Sequence, residues 1–214
     1  MIRLLLADDH QLVRDGLRQI LAAVPDIEVA AEAATGDEVL ALVRADDFDL
    51  ALIDMSMPGL AGIQLIKRIK LERPKLRILV LSMHGEHQYA ARALKAGASG
   101  YLTKDSASEQ LVGAIRKVAS GGVHITEAAA ASLMADTGKG DAAPHTQLSD
   151  REFEIFRMLA AGRGPTEIAG RLQLSVKTVS THKTRILEKM NLGSGAELVR
   201  YALEHGLLDR NPGS

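Results

Sequence analysis

Leu50-Ala51-Leu52-Ile53-Asp54 is a short run that stays apolar until its last residue, and Pro58-Gly59 breaks the chain just beyond it. A run apolar on both sides reads as a strand covered on both faces, the situation of strands in a parallel sheet. Four more short apolar runs match it, at residues 2–7, 27–31, 78–82 and 100–103. Between them, Leu12/Leu17/Ile20/Leu21, Val39/Leu42/Val43, Ile63/Ile66/Ile69 and Tyr89/Ala93/Leu94 recur at the three- and four-residue spacing of amphipathic helices, and Leu111/Ile115/Val118 do so after the fifth run. Gly36, Pro74, Gly97 and Gly121-Gly122 punctuate the pattern. Strand and helix in alternation give an α/β fold, a doubly wound five-stranded parallel sheet.

The ends of these runs carry the chemistry. Asp8 and Asp9 follow the first, Asp54 ends the third, Ser82 ends the fourth and Lys104 follows the fifth. In a parallel α/β sheet the carboxyl ends of the strands share one edge, where ligands bind. Three carboxylates and one ammonium leave an excess negative charge that a divalent cation would cancel. Magnesium and an incoming phosphoryl group suit such a pocket better than a fatty or neutral ligand. Each residue has a plainer reading alone: Asp8-Asp9 as a helix cap, Asp54 as a turn residue, Lys104 as a solvated charge. One pocket explains all five together.

The chain has 214 residues, more than one typical domain. With 46% hydrophobic residues and only 3% aromatic, its cores must be packed by Leu, Ile, Val and Ala. The absence of cysteine excludes disulfides and thiolate metal sites. The opening run is interrupted by Arg3 and closed by Asp8-Asp9, too short for a signal peptide or membrane span, so a cytoplasmic protein without a membrane partner is the simplest expectation. Residues 135–147 are small, polar and aperiodic, as in a flexible linker, and residues 127–134 can add a short helix before it. The expected division is 1–122 for the first domain, 123–146 for the linker and 147–210 for the second domain. The overall net charge of −1 conceals a weakly acidic first half and a weakly basic second half.

The basic charge gathers on one helix. Residues 175–190 hold Lys177, Lys183, Arg185 and Lys189 against Glu188 alone, with His182 available for more. Val179, Ile186 and Met190 should face a core, leaving Ser180, Thr181, Lys183 and Thr184 outward. Such a face fits the major groove of double-stranded DNA, although it could also be an ordinary solvated surface. Ahead of it, residues 165–172 form a shorter helix with Pro165 in its first turn, Gln173-Leu174 make the turn, and Ser175 caps the second helix. This is the helix-turn-helix plan in a small all-α domain.

Both halves resemble a known family. Asp8-Asp9, Asp54 ahead of Met55-Ser56-Met57-Pro58-Gly59, Ser82, and Tyr101 three residues before Lys104 resemble the flavodoxin-like receiver domain of two-component response regulators. Leu148-Ser149-Asp150-Arg151-Glu152, Glu167-Ile168-Ala169 and Lys177-Thr178-Val179 with His182, Ile186 and Lys189-Met190 resemble the LuxR-type DNA-binding domain of the NarL/FixJ subfamily. The resemblance implies that Asp54 accepts a phosphoryl group from a phosphohistidine of a sensor kinase. It implies that Asp9, Asp54 and the backbone carbonyl of Ser56 bind magnesium, with Asp8 acting through water. Lys104 and Ser82 would contact the phosphoryl oxygens, and Tyr101 would switch rotamer as Ser82 moves; a plain packing role for Tyr101 stays open.

Lys177, Thr178, Ser180, Thr181, Lys183, Thr184 and Arg185 are the implied DNA contacts, on an inverted-repeat operator bound by a homodimer. RNA polymerase is a further candidate partner. Two departures stand out: Asp105 where many receivers have proline, and Pro165 where the LuxR-type pattern often has a polar residue. Two other function classes remain. A haloacid-dehalogenase-like phosphatase would need a second acid where Ser56 stands. A pure DNA-binding regulator with a degenerate receiver would not need all five pocket residues.

Overall fold

In a computed structural model of the chain, residues 1–60, 62–82, 87–104, 108–126, 130–131 and 143–207 are described. Two compact units divide the chain, Met1–Ala130 and Ala131–Ser214.

The first unit alternates strand and helix throughout. Its strands are β1 (Ile2–Ala7), β2 (Ile27–Ala33), β3 (Leu50–Asp54), β4 (Arg77–Ser82) and β5 (Gly100–Thr103). Its helices are α1 (Gln11–Ala22), α2 (Gly36–Ala45), α3 (Gly62–Glu72), α4 (His87–Lys95) and α5 (Ser108–Ala119). All the strand pairs are parallel and the order is β2-β1-β3-β4-β5. Alternate residues serve the two faces. Leu4, Leu6, Leu50, Leu52, Leu79 and Leu81 pack with Leu21 of α1 and Leu111, Ala114, Ile115 and Val118 of α5. Their neighbours Leu5, Ala51, Ile53, Ile78 and Val80 are equally buried, facing the other way. This is why β1, β3 and β4 carry no polar alternation. From β1 the chain moves out to β2 and then returns past β1 to β3, so the order reverses between β1 and β3. In open parallel α/β sheets ligands bind at such a point, beyond the carboxyl ends of the strands.

Helix α1 departs from the expected stripe. Leu21 is buried and Leu17 lies against the core, but Leu12 is 85% exposed and Ile20 stands at the surface. Leu17 follows Leu12 by five positions, which at 3.6 residues per turn sets them about 140° apart. The chain also stays on the sheet past α5: His124 bridges Gly100, its carbonyl accepting the Tyr101 amide at 2.8 Å. The stretch expected as linker therefore begins attached to the edge of β5. Of the short helix expected at 127–134, Ala130 and Ala131 are helical; 127–129, 132–142 and Asp105 lie outside the described residues.

The second unit is helical among its described residues. A 3-10 turn (Pro144–Gln147) precedes α6 (Asp150–Ala160), α7 (Pro165–Arg171), α8 (Val176–Met190) and α9 (Gly195–Glu204). Ser149 and Glu152 form a reciprocal capping box at α6, and Ser175 caps α8 through the Thr178 amide at 3.0 Å. Gln173, at φ 52°, makes the tight turn between α7 and α8. Phe153 and Phe156, stacked at 5.9 Å between centroids, share a core with Ile168, Val179, Ile186, Met190 and Leu198. His145 is buried too, its Nδ1 2.7 Å from the Tyr201 hydroxyl. This unit thus recruits a residue ahead of position 147.

Candidate functional site

Four strand ends build a pocket at the point where the sheet order reverses. Asp8 leaves β1 and is fully buried; its Oδ1 accepts the His10 amide at 2.9 Å. The residue at the N-cap of α1 is His10, without a side-chain capping bond, so Asp8 and Asp9 do not cap that helix. Asp54 ends β3 with 0% exposure. Ser82 ends β4, buried, and its carbonyl accepts the Lys104 amide at 2.8 Å, which fixes the lysine beside it. Lys104 then reaches across the pocket, with Nζ 2.5 Å from Asp8 Oδ2 and 3.2 Å from Asp54 Oδ2. Asp9 is half-buried on the near side, and Ser56 lies half-buried in the turn after β3. Tyr101 is buried on β5, opposite Val80.

Charge is crowded here and poorly satisfied. Neither carboxylate oxygen of Asp54 receives a well-formed hydrogen bond, nor does Asp9 Oδ1. Burial pushes the Asp54 carboxyl up to about 6; the Lys104 ammonium opposes the shift and the Asp8 charge adds to it. Donor atoms of Asp8, Asp9, His10 and Asp54 lie within 4.8 Å of one another. Buried anionic oxygens without donors fit a hard cation. At the position two residues after Asp54 stands Ser56, so the second acid of a dehalogenase-like phosphatase is missing.

The second candidate site is the free face of α8. Val179, Ile186 and Met190 are buried as expected, and Lys177, Ser180, Thr181, Thr184 and Arg185 are exposed. Thr178 and Lys183 are half-buried, Thr178 held by the Ser175 cap. The Thr181 and Thr184 hydroxyls donate to the carbonyls of Lys177 and Ser180, at 2.9 and 3.2 Å. Their hydroxyl hydrogens are thereby engaged with the helix backbone, and each oxygen keeps acceptor capacity. Two members of the expected basic set drop out. Lys189 is bound at 2.6 Å to Glu152, and burial lowers the His182 pKa, leaving that imidazole uncharged at neutral pH. The same Glu152 accepts from the Ser149 amide and hydroxyl, so one carboxylate caps α6 and grips the end of α8. Arg151 adds a second brace, pairing with Glu154 at 2.6 Å and donating to the Leu172 carbonyl at the end of α7.

Residues 4–116 match the response regulator receiver domain, and residues 146–202 match the luxR family of bacterial regulatory proteins. The chain is 37% identical to the response regulator UvrY of Escherichia coli K12 over 209 residues, 97% of this chain and 96% of that one. The chain belongs to the two-component response regulators of the NarL/FixJ subfamily. Another relative, the oxygen regulatory protein NreC of Staphylococcus carnosus, is 39% identical over 97% of this chain and 100% of its own. Among solved structures, RcsB of Salmonella typhimurium is 28% identical with a TM-score of 0.75, covering 95% of this chain and 97% of that one. RcsB of Salmonella enterica serovar Typhimurium bound to promoter rprA, in the presence of the phosphomimetic BeF3−, gives 0.69 at 28% identity over 94% and 98%.

In this response regulator two pocket residues escaped the sequence reading. His10 places Nδ1 2.9 Å from Asp9 Oδ1; the available signal was its position next to the acid pair, not its spacing from other histidines. Arg14 donates to the Asp8 carbonyl at 2.5 Å and thereby clamps the loop that carries both acids. Its place one helical turn beyond His10 was the only hint.

Proposed function

We propose that Asp54 is the phosphoacceptor of this regulator and that its phosphorylation controls dimerisation and DNA binding, hence transcription. The reading is carried by Asp54 itself, a fully buried carboxylate with no well-formed hydrogen bond, flanked by a lysine and two more acids. The donor is a phosphohistidine of a sensor histidine kinase. The Asp54 carboxylate attacks phosphorus, a P–O bond forms, and the P–N bond breaks with the imidazole leaving. At pH 7 the carboxyl, titrating at about 6, is mostly ionised and ready to attack.

Asp9, Asp54 and the Ser56 carbonyl would hold magnesium, with Asp8 acting through water. The ion supplies positive charge where an anion meets an anionic phosphorus centre. Lys104, now shared between Asp8 and Asp54, pairs with the phosphoryl oxygens. The Ser82 hydroxyl donates to one of them, and Tyr101 changes rotamer as Ser82 shifts, carrying the event to the surface around α4 and α5. The protein acts as a switch and not as an enzyme that turns over small substrates.

Helix α8 enters the major groove of double-stranded DNA. Lys177 and Thr178 meet the phosphate backbone, while Ser180, Thr181, Lys183, Thr184 and Arg185 lie toward the bases. One helix reads few base pairs, so two copies bind an inverted repeat, with α9 as the pairing surface. RNA polymerase is a further partner. Residues 1–122 act as receiver, 123–146 as linker and 147–210 as the DNA-binding domain. The cytoplasm is the natural compartment for such a chain; no helix among the described residues is long and apolar enough to cross a membrane.

The test is labelling by a small-molecule phosphodonor with magnesium. The wild-type protein takes up an acid-stable, hydroxylamine-sensitive label and Asp54→Asn takes up none. Persistence of that label in the variant moves the acceptor elsewhere.

A further inference from the structure

His10 stands in the pocket but has no part in the phosphoryl transfer just described. Its ring makes no cap on α1 and is largely exposed, yet Nδ1 lies 2.9 Å from Asp9 Oδ1 and 3.4 Å from Asp8 Oδ1. One ligand atom from each of Asp8, Asp9, His10 and Asp54 falls within 4.8 Å of the other three. Around a six-coordinate ion with bonds near 2.1 Å, adjacent ligands stand about 3 Å apart and opposite ones about 4.2 Å. The two His10 distances are those of adjacent ligands.

Asp8 divides its carboxylate between two partners. Oδ2 faces the Lys104 ammonium at 2.5 Å, while Oδ1 faces the imidazole. The lysine and the histidine therefore occupy different edges of one acid, and an ion on the His10 side need not displace the lysine from Asp8. The cluster is not a group of surface acids, since Asp8 is fully buried. Asp54, also fully buried, places an oxygen in it, and neither of its oxygens accepts a well-formed hydrogen bond.

Resting on the metal reading above, we propose that His10 Nδ1 is a metal ligand and gives the pocket one nitrogen donor among its oxygens. An oxygen-only site suits magnesium, a hard ion that dehydrates reluctantly. Imidazole adds most for first-row transition ions, whose affinity for nitrogen rises along the series from Mn2+ toward Cu2+. The pocket therefore favours Mn2+ and Co2+ over Mg2+ by more than its carboxylates alone would give. If the ring served only as a hydrogen-bond donor to Asp9, an incoming ion would have to break that bond, and removing the ring would leave the preference unchanged or strengthen binding of every ion alike.

The experiment uses the full chain, titrated with Mg2+, Mn2+ and Co2+ by calorimetry at one fixed pH, as wild type, His10→Ala and Asp9→Asn. His10→Ala should lower the Mn2+-to-Mg2+ affinity ratio by about tenfold, the scale on which single residues at metal sites act. Asp9→Asn should weaken all three ions. Independently of any variant, pulsed electron paramagnetic resonance of the Mn2+-loaded wild type should show nitrogen coupling from a directly bound imidazole, lost in His10→Ala. An unchanged ratio, or coupling that persists in His10→Ala, overturns the role of His10 while leaving the pocket as a metal site. A wild type that binds none of the three ions, or an Asp9→Asn variant that binds them unchanged, overturns the metal reading and this inference with it.

Discussion

Asp54 in the first unit and Glu152 in the second are both carboxylates buried almost completely, and the protein treats them in opposite ways. Glu152 accepts from the Ser149 amide and hydroxyl at 2.8 Å and from Lys189 at 2.6 Å. Burial would raise its pKa, but the lysine and the Ser149 bonds overcome that and hold the carboxyl below its usual range. Asp54 has only the Lys104 ammonium, at 3.2 Å, and the Ser56 backbone to offset its burial, and its carboxyl is pushed up to about 6. A buried charge held by three donors fixes a structure; one with fewer is held ready for a ligand. The comparison separates scaffold from site without reference to any relative.

A large effect expected from this contrast is on the scaffold side. Glu152→Ala removes the carboxylate half of the α6 capping box, leaving the Ser149 hydroxyl half in place, and frees the partly exposed Lys189; it should destabilise the second unit by about 2 kcal/mol. Chemical unfolding followed by a probe in that unit measures it, and a loss below about 1 kcal/mol would mean that Glu152 is no brace. The site side should move the other way. Asp54→Asn should stabilise the metal-free protein near pH 7 by about 2 kcal/mol, since a shift of one pKa unit corresponds to about 1.4 kcal/mol.

The signs of the two pH dependences follow from proton counting. Between pH 3.8 and about 6 the native state holds a proton on Asp54 that the unfolded state has released, so this group makes stability fall as pH rises through that window. The advantage of Asp54→Asn should therefore fade below about pH 4. Glu152, with its lowered value, contributes stability that is present above its ordinary value of 4.5 and lost as pH falls through its folded value. Against wild type from about pH 3 to 8, the Asp54→Asn advantage should grow between about pH 4 and 6, and the Glu152→Ala deficit should shrink only below about pH 4.5; parallel curves would erase the distinction.

Smaller effects belong to the exposed face of α8, where no charge is buried. Thr181→Ala or Lys183→Ala should cost about 1–3 kcal/mol on the preferred operator and relax the preference over random DNA. Lys177→Ala should weaken both sequences alike and lower the salt slope by about one unit. Binding curves at several salt concentrations distinguish these outcomes. Sequence-selective loss from Lys177→Ala alone would invert the assignment of the face.

Much of this was legible in the chain because it is local. The strands of the first unit could be read since β1, β3 and β4 are buried on both faces, and five polar residues at strand ends converge through topology alone. Ser175 announced the start of α8. The unread part depends on long-range contacts. Lys189 looked like a free cation on a basic helix, and its partner Glu152 lies 37 residues away. Leu12 looked like core because hydrophobic identity was counted without its angular position on α1. His145 sits in a stretch read as linker; its burial depends on Tyr201, 56 residues later, and no spacing rule connects them.

Control of DNA binding through Asp54 is tested most directly by operator affinity of the full chain with and without a small-molecule phosphodonor and magnesium, in wild type and Asp54→Asn. A selected inverted-repeat duplex and fluorescence anisotropy suffice. Phosphorylation should tighten wild-type binding by at least about fivefold, the lower range of coupling between sites, and leave Asp54→Asn unchanged. Equal tightening in both proteins, or a labelled wild type whose affinity does not move, would contradict it.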